Sequence, residues 1–285
     1  MPDFPIVDAH VHLYDLAEVE IGWLAGAPAI NRSHGLADFD AARGPVAVER
    51  LVFAEVAVDA GHGLAEARWA QGIAAGDPRL GAIVAHAPVE FGARVEPTLE
   101  ALAELPAVRG VRRLIQTEAD PSVVLTPDFL DGVRRLARHG LSFDICIKHW
   151  QMAYAIELVR RCPEVAFILD HIGKPDIRHG MREPWWSGIA TMAALPNVVC
   201  KVSGVITEAD PSSWTPAAIR PWVERTLEAF GADRCMFGSD WTVSELTHRY
   251  PEWVAILDDI LAAASETERR AFWRDTALRA YRIDA

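Results

Sequence analysis

The sequence predicts a (β/α)8 barrel, and three observations carry that expectation. Short, almost continuously apolar runs alternate with amphipathic stretches along the 285 residues, as strands of a parallel sheet covered on both faces do. No composition shift marks a linker, and barrels of this size are commonly one domain, so residues 1–285 read as a single unit. No glycine-rich phosphate loop follows the first apolar run, which counts against an open doubly wound sheet.

The elements follow in order. The first strand is expected over residues 6–13, and a long segment, 14–39, comes after it with Trp23, Pro28 and His34. A loop of that length at the C-terminal face of a barrel is a candidate lid or pocket wall. Strands are expected at 50–58, 80–88, 108–115, 142–147, 165–172, 198–205 and 234–239, with helical patterns at 64–75, 127–138, 154–161 and 217–230. Gly140, just past Arg138-His139, is placed to stop a helix. Ser265-Glu266-Thr267-Glu268 has the spacing of a capping box ahead of a last helix reaching Tyr281.

Composition narrows the function. With 51% hydrophobic residues the chain can bury a large core, and its net charge of -12 argues against nucleic-acid or anionic-membrane partners, both of which need clustered Lys and Arg. A small-molecule substrate is the partner expected. Cys146, Cys162, Cys200 and Cys235 lack Cys-x-x-Cys spacing and read as reduced core residues. Met1-Pro2-Asp3-Phe4-Pro5 has neither a basic nor an apolar leader region, and no stretch is apolar enough to span a bilayer, so a cytoplasmic location is expected.

In a barrel the C-terminal strand ends carry the chemistry. His10 and His12, two residues apart at the end of the first run, project from one face of a strand and converge on a point; Asp240, in Phe237-Gly238-Ser239-Asp240-Trp241, supplies a carboxylate from the last. That set can ligate a metal, provide a general base, or both. Other strand ends offer Glu55, His86, Arg112 or Arg113, Lys148, His149, His171, Lys201 and Ser203. Glu55 and His86 suit hydrogen-bonded barrel positions better than direct catalysis. Arg112 and Arg113 face opposite sides of their strand, and Arg112 is taken as the inward one. Lys201, inside an apolar run, is either a paired structural charge or a pocket residue. Arg178-His179 and His248-Arg249 read as solvated surface. Among the tryptophans, Trp222, Trp253 and Trp273 read as packing, while Trp23 or Trp241 could lie on a substrate face.

Asp8-Ala9-His10-Val11-His12, Leu169-Asp170-His171-Ile172-Gly173-Lys174-Pro175, Cys200-Lys201-Val202-Ser203-Gly204 and Phe237-Gly238-Ser239-Asp240-Trp241 together resemble the amidohydrolase superfamily. They resemble most its amidohydrolase 2 branch, which includes sugar-acid lactonases of the L-fuconolactonase and L-rhamnonolactonase type, pyrone dicarboxylate lactonases and, more distantly, metal-dependent decarboxylases of aromatic acids. The resemblance implies that His10 and His12 bind metal or polarise a carbonyl, that His171 is the sixth-strand histidine, and that Asp240 is the eighth-strand base. Two-metal members carry a carboxylated lysine on the fourth strand; this chain has Arg112 and Arg113 there. One divalent ion, zinc, is therefore implied on His10, His12 and Asp240, with His149 or His171 as a further ligand. A metal-independent site is the other arrangement known in the branch.

Lactone hydrolysis explains the residue types. Asp240 would take a proton from water and return it to the departing alkoxide, while His171 would hold the carbonyl oxygen or substrate. Arg112 and Lys148, with His86, would grip hydroxyls or a carboxylate, and Trp23 or Trp241 would pack on a sugar face. The expected substrate is an aldonolactone such as a 6-deoxyhexonolactone. The alternatives are a pyrone dicarboxylate lactonase, a decarboxylase in which His149 is a ligand, and a barrel that merely binds sugar acids.

Overall fold

The computed structural model describes residues 1–284. Eight parallel strands follow one another in chain order: β1 (Ile6–Val11), β2 (Val48–Ala54), β3 (Leu80–His86), β4 (Val108–Arg112), β5 (Ser142–Ile145), β6 (Phe167–Leu169), β7 (Val198–Val202) and β8 (Cys235–Phe237). The circle is drawn closed just beyond β8, where Val11 bridges Trp241 in parallel and the Asp240 amide donates to His10 O at 2.9 Å. This is the single-domain (β/α)8 barrel.

Alternation along the strands divides the core in two. Phe53, Ile83, Phe143, Phe167 and Phe237 face outward into one shell with the surrounding helices. Val7, Ala9, Val52, Ala82, Val84, Ile168 and Met236 fill the barrel interior, closed from below by Ala277, Leu278 and Tyr281 of the terminal helix Thr276–Tyr281. Bulky branched residues in layers make that interior a packed core and not a pore.

Helices lie where the patterns predict, at Gly63–Gly76, Pro127–Arg138, Met152–Arg161 and Pro216–Phe230. Gly140 takes φ 64°, the left-handed conformation that a residue with Cβ adopts at a cost. The Ser265 capping box forms, the Ser265 hydroxyl accepting from Glu268 N at 3.3 Å and the Glu268 carboxylate from Ser265 N at 2.8 Å. The strands end earlier than their apolar runs do. β6 stops at Leu169 because the next residues turn left-handed, with His171, Ile172, Gly173 and Lys174 at φ between 46° and 75°.

The segment after β1 folds on itself. Tyr14 pairs with His34, and Tyr14, Val19, Ile21, Leu24 and Ile30 form a small core with Val56. It is a packed wall at the barrel mouth, and Trp23 is pinned there by an indole N–H donated to Val56 O at 2.7 Å. No helix of the described residues is long and apolar enough to cross a membrane.

Candidate active site

The strand ends open on a cavity of about 330 Å³ lined by His12, Arg112, His171, Lys174 and Asp240, with Trp23, Val56, Leu114 and Val243 among its apolar walls. His10 and His12 leave β1 with their Nε2 atoms 3.2 Å apart, as same-face spacing requires. His12 Nδ1 lies 2.9 Å from Ala54 O, which can only accept, so this nitrogen carries the proton and Nε2 of the neutral ring is a lone pair. Asp240, at φ 60°, sets Oδ1 3.3 Å from that Nε2 and 3.7 Å from Nε2 of His10. Burial would push the Asp240 carboxyl up, but His171, His12 and His10 facing it outweigh this and hold it well below the usual carboxylate range.

His171 enters from β6. Its Nδ1 is 2.9 Å from the Ser203 hydroxyl, and burial pushes its pKa down to about 4, so the ring is neutral near pH 7. The left-handed turn that carries it costs roughly 1 kcal/mol for each non-glycine residue. Trp185 Nε1 donating to Ile172 O at 2.6 Å and His149 N donating to Lys174 O at 3.1 Å hold the turn in place. Gly204, at φ 56°, is glycine for space: a Cβ there would lie 2.6 Å from His171 Nδ1 and 2.7 Å from Asp240 Oδ2.

Beneath these groups a charged layer crosses the barrel. Arg112 donates from Nε to Glu55 at 2.7 Å, from Nη2 to the Glu55 carbonyl, and from Nη1 to Asp170 at 3.3 Å; Nη1 is also 3.2 Å from His10 Nε2. Lys201, wholly buried, pairs with Asp144 at 2.7 Å and Asp170 at 3.0 Å and lies 3.2 Å from His10 Nδ1. Burial would raise the Asp170 carboxyl, yet Lys201 and His10 hold it well below its ordinary value. Tyr281 completes the layer, its hydroxyl donating to Asp144 at 2.6 Å. Lys201 is thus a paired charge of the barrel interior, which explains why an apolar run tolerates it.

The donor set suits a cation. His10, His12 and Asp240 bring three ligand atoms within 4.8 Å of one another. Zinc held at about 2 Å in tetrahedral geometry spaces its ligand atoms by roughly 3.3 Å, and the distances of 3.2, 3.3 and 3.7 Å bracket that. The outer nitrogen of His12 is oriented as in metal-binding imidazoles, toward the Ala54 carbonyl, while Nδ1 of His10 lies 3.4 Å from the Asp170 carboxylate and 3.2 Å from the Lys201 ammonium. His171 joins His10 and Asp170 in a second such group.

Other sequence candidates are placed elsewhere. Arg112 is inward and buried, while Arg113 turns outside to Glu90 and Glu118. Lys148 sits on the rim, paired with Glu208 at 3.2 Å, and its side chain is 38% exposed. His86 packs against Gly63, outside the cavity lining. Trp241 is buried against His34 and Phe39, its indole N–H donating to Glu245 at 2.8 Å, so its face is spent on packing. His149 opens the turn after β5 and belongs to neither ligand group. His248 corrects the expectation of a solvated residue: it is buried between Trp214 and Trp253, because its loop folds back behind Asp240. Asp170 and Lys174 are site residues that strand periodicity does not reveal, although both belong to the Asp-His-x-Gly-Lys-Pro segment. That motif was the signal.

Residues 7–283 match the model of the amidohydrolase family. The chain belongs to that family. An L-fucono-1,5-lactonase of Burkholderia multivorans is 30% identical over 97% of this chain and 96% of its own. An L-rhamnono-gamma-lactonase of Scheffersomyces stipitis is 24% identical over 99% of this chain and all of its own. Among solved structures, a Burkholderia multivorans amidohydrolase with zinc bound superposes with a TM-score of 0.87 at 28% identity, covering 99% of this chain and all of that one.

Proposed function

We propose that this amidohydrolase opens a sugar-acid lactone, an aldonolactone such as a 6-deoxyhexonolactone, to the free acid, with Asp240 activating water. The observation that carries the reading is the convergence of an ionised carboxylate, His12 and a neutral His171 on one cavity, with His10 buried directly behind them. The lactonase relatives, matched over nearly their whole length, support the substrate class.

Asp240 takes a proton from water as the oxygen adds to the lactone carbonyl carbon, and gives it back to the ring oxygen as that bond breaks. His171, uncharged and braced by Ser203, would hold the carbonyl oxygen or the substrate from the cavity wall. Arg112 is the anchor of the charged layer more than a free substrate grip, since Glu55 and Asp170 already take most of its N–H groups. A divalent ion, zinc being the one a relative binds, would be held by His10, His12 and Asp240 and would supply an acidified water and a polarised carbonyl. A single ion is the stoichiometry proposed, because where two-metal members carry a carboxylated lysine the fourth strand brings Arg112, paired with Glu55 and Asp170. The cytoplasm is the compartment this chemistry suits, four buried free cysteines being compatible with it.

Acid release followed with a pH indicator tests the reading. Hydroxylated hexono- and 6-deoxyhexonolactones should open far faster than unsubstituted lactones of the same ring size, because buried polar groups left without partners penalise the bare ring. Loss of carbon dioxide from aromatic acids, with no lactone opened, would reject it. The decarboxylase alternative needs His149 as a ligand, and His149 does not line the cavity.

A further inference from the structure

Of the 28 basic residues only three are lysines: Lys201 inside β7, and Lys148 and Lys174 in the turns that follow β5 and β6. Two have settled positions, Lys201 in the buried charge layer and Lys148 on the rim beside Glu208. Lys174 is the one that lines the cavity. It reaches it through the left-handed turn, which sets His171 and Lys174 three residues apart, both on the cavity wall, with the Lys174 amide donating to His171 O at 2.9 Å. Strain of this kind persists where the surroundings over-determine it and gathers at sites of chemistry.

Donor capacity distinguishes the two cations of the cavity. Arg112 spends its N–H groups on Glu55, Asp170 and His10. The Lys174 ammonium meets a carboxylate oxygen of Glu208 at 3.7 Å, beyond hydrogen-bond reach, and among the described residues it makes no side-chain hydrogen bond. The other Glu208 oxygen is taken by Lys148 at 3.2 Å. A mostly buried cation, 15% exposed, thus keeps its three N–H donors without a hydrogen-bonded side-chain partner while lining a site that must bind an oxygen on which negative charge develops.

We propose that Lys174 is a catalytic residue of the lactone-opening reaction, its ammonium binding the acyl oxygen beside His171. This rests on the reaction proposed above. As water adds to the acyl carbon, the carbonyl electron pair moves onto the oxygen held by Lys174, and the water's proton goes to Asp240. The pair then returns as the ring C–O bond breaks, and the alkoxide takes the proton from Asp240. Lys174 keeps its own protons throughout.

Lys174→Met and Lys174→Arg, assayed beside the wild type on the lactone it opens fastest, are the test. Lys174→Met should lower kcat about 100- to 1,000-fold, as loss of one oxyanion donor does, with KM changed only a few-fold, and Lys174→Arg should recover part of the loss. Undiminished kcat, or a loss confined to KM, overturns the acyl-oxygen role. Folding of the variant is not required for the second arm: with lysine labelled at 13Cε the wild type shows three lysine signals, and the acid product should shift the Lys174 signal. An unmoved Lys174 signal at saturating acid overturns the proposal. A wild type that opens no lactone indicts the reaction itself; a wild type that opens lactones beside an unimpaired Lys174→Met indicts only this role.

Discussion

Nε2 of His12 and Oδ1 of Asp240 face one another across 3.3 Å, brought together from the first and last strands of the barrel. The Ala54 carbonyl holds a proton on the far nitrogen of His12, so the unprotonated form of the ring turns an Nε2 lone pair toward the ionised carboxylate. Such atoms repel unless a cation or a proton lies between them.

Metal content follows from that pair. Protein purified with zinc and dialysed against metal-free buffer should retain about one equivalent by elemental analysis, and His12→Ala should retain far less. Chelation should abolish lactone opening, with zinc or manganese restoring it. Full activity in protein proven metal-free would make His10 and His12 direct hydrogen-bond donors to the carbonyl, which needs a proton on Nε2 of His12 as well as on Nδ1.

Asp240→Asn keeps the size of the side chain and removes the base. Turnover should fall by about two to four decades while the melting temperature stays near that of the wild type. A folded variant turning over at the normal rate sinks the base assignment.

Gly204→Ala tests the spacing of His171 and Asp240. The added methyl would press on both, at 2.6 and 2.7 Å, on a backbone at φ 56° that alanine adopts reluctantly. We expect about 1–2 kcal/mol of lost stability and a fall in kcat near 100-fold, since sub-ångström displacement of reacting groups costs heavily. Native melting together with native kcat would show that the two groups tolerate being moved apart.

Glu66, behind the cavity wall at Val56, gives a pH dependence of stability. Burial, then the neighbouring Glu55 carboxylate, raises its pKa from 4.5 to about 8, while its Oε1 accepts from Val56 N at 2.8 Å. A folded-state pKa above the unfolded one means that this group's contribution to stability is complete below about pH 4.5 and is lost as pH rises through 8. Glu66→Gln cannot ionise, so its melting temperature relative to wild type should improve between pH 5 and pH 8. A difference that does not change with pH would refute the buried ionisation.

The sequence reveals the parts of this site that follow strand periodicity. His10 and His12 at i and i+2, Asp240 closing the last strand and the inward Arg112 all depend only on where strands end and which face a residue takes. Lys174 was hidden because its reach into the cavity depends on four left-handed residues in succession, three of them bearing side chains, which no propensity suggests. Lys148 and His149 read as strand-end candidates, yet β5 stops at Ile145 and the chain turns away before them. His248 looks polar and local, but it is buried between Trp253, five residues on, and Trp214, more than thirty residues back.

Tyr281 reaches the barrel interior from a helix that follows β8 in the chain, and its hydroxyl is one of the groups holding Asp144. During synthesis, therefore, all eight strands leave the ribosome before the residue that seals their lower end. Until it docks, Asp144 lacks the Tyr281 hydroxyl and the interior lacks the cover that Ala277, Leu278 and Tyr281 give it from below. Maturation of the site is thus tied to the docking of a segment far from the cavity, and a nascent chain stalled before Tyr281 would hold every cavity-lining residue without a finished floor beneath them.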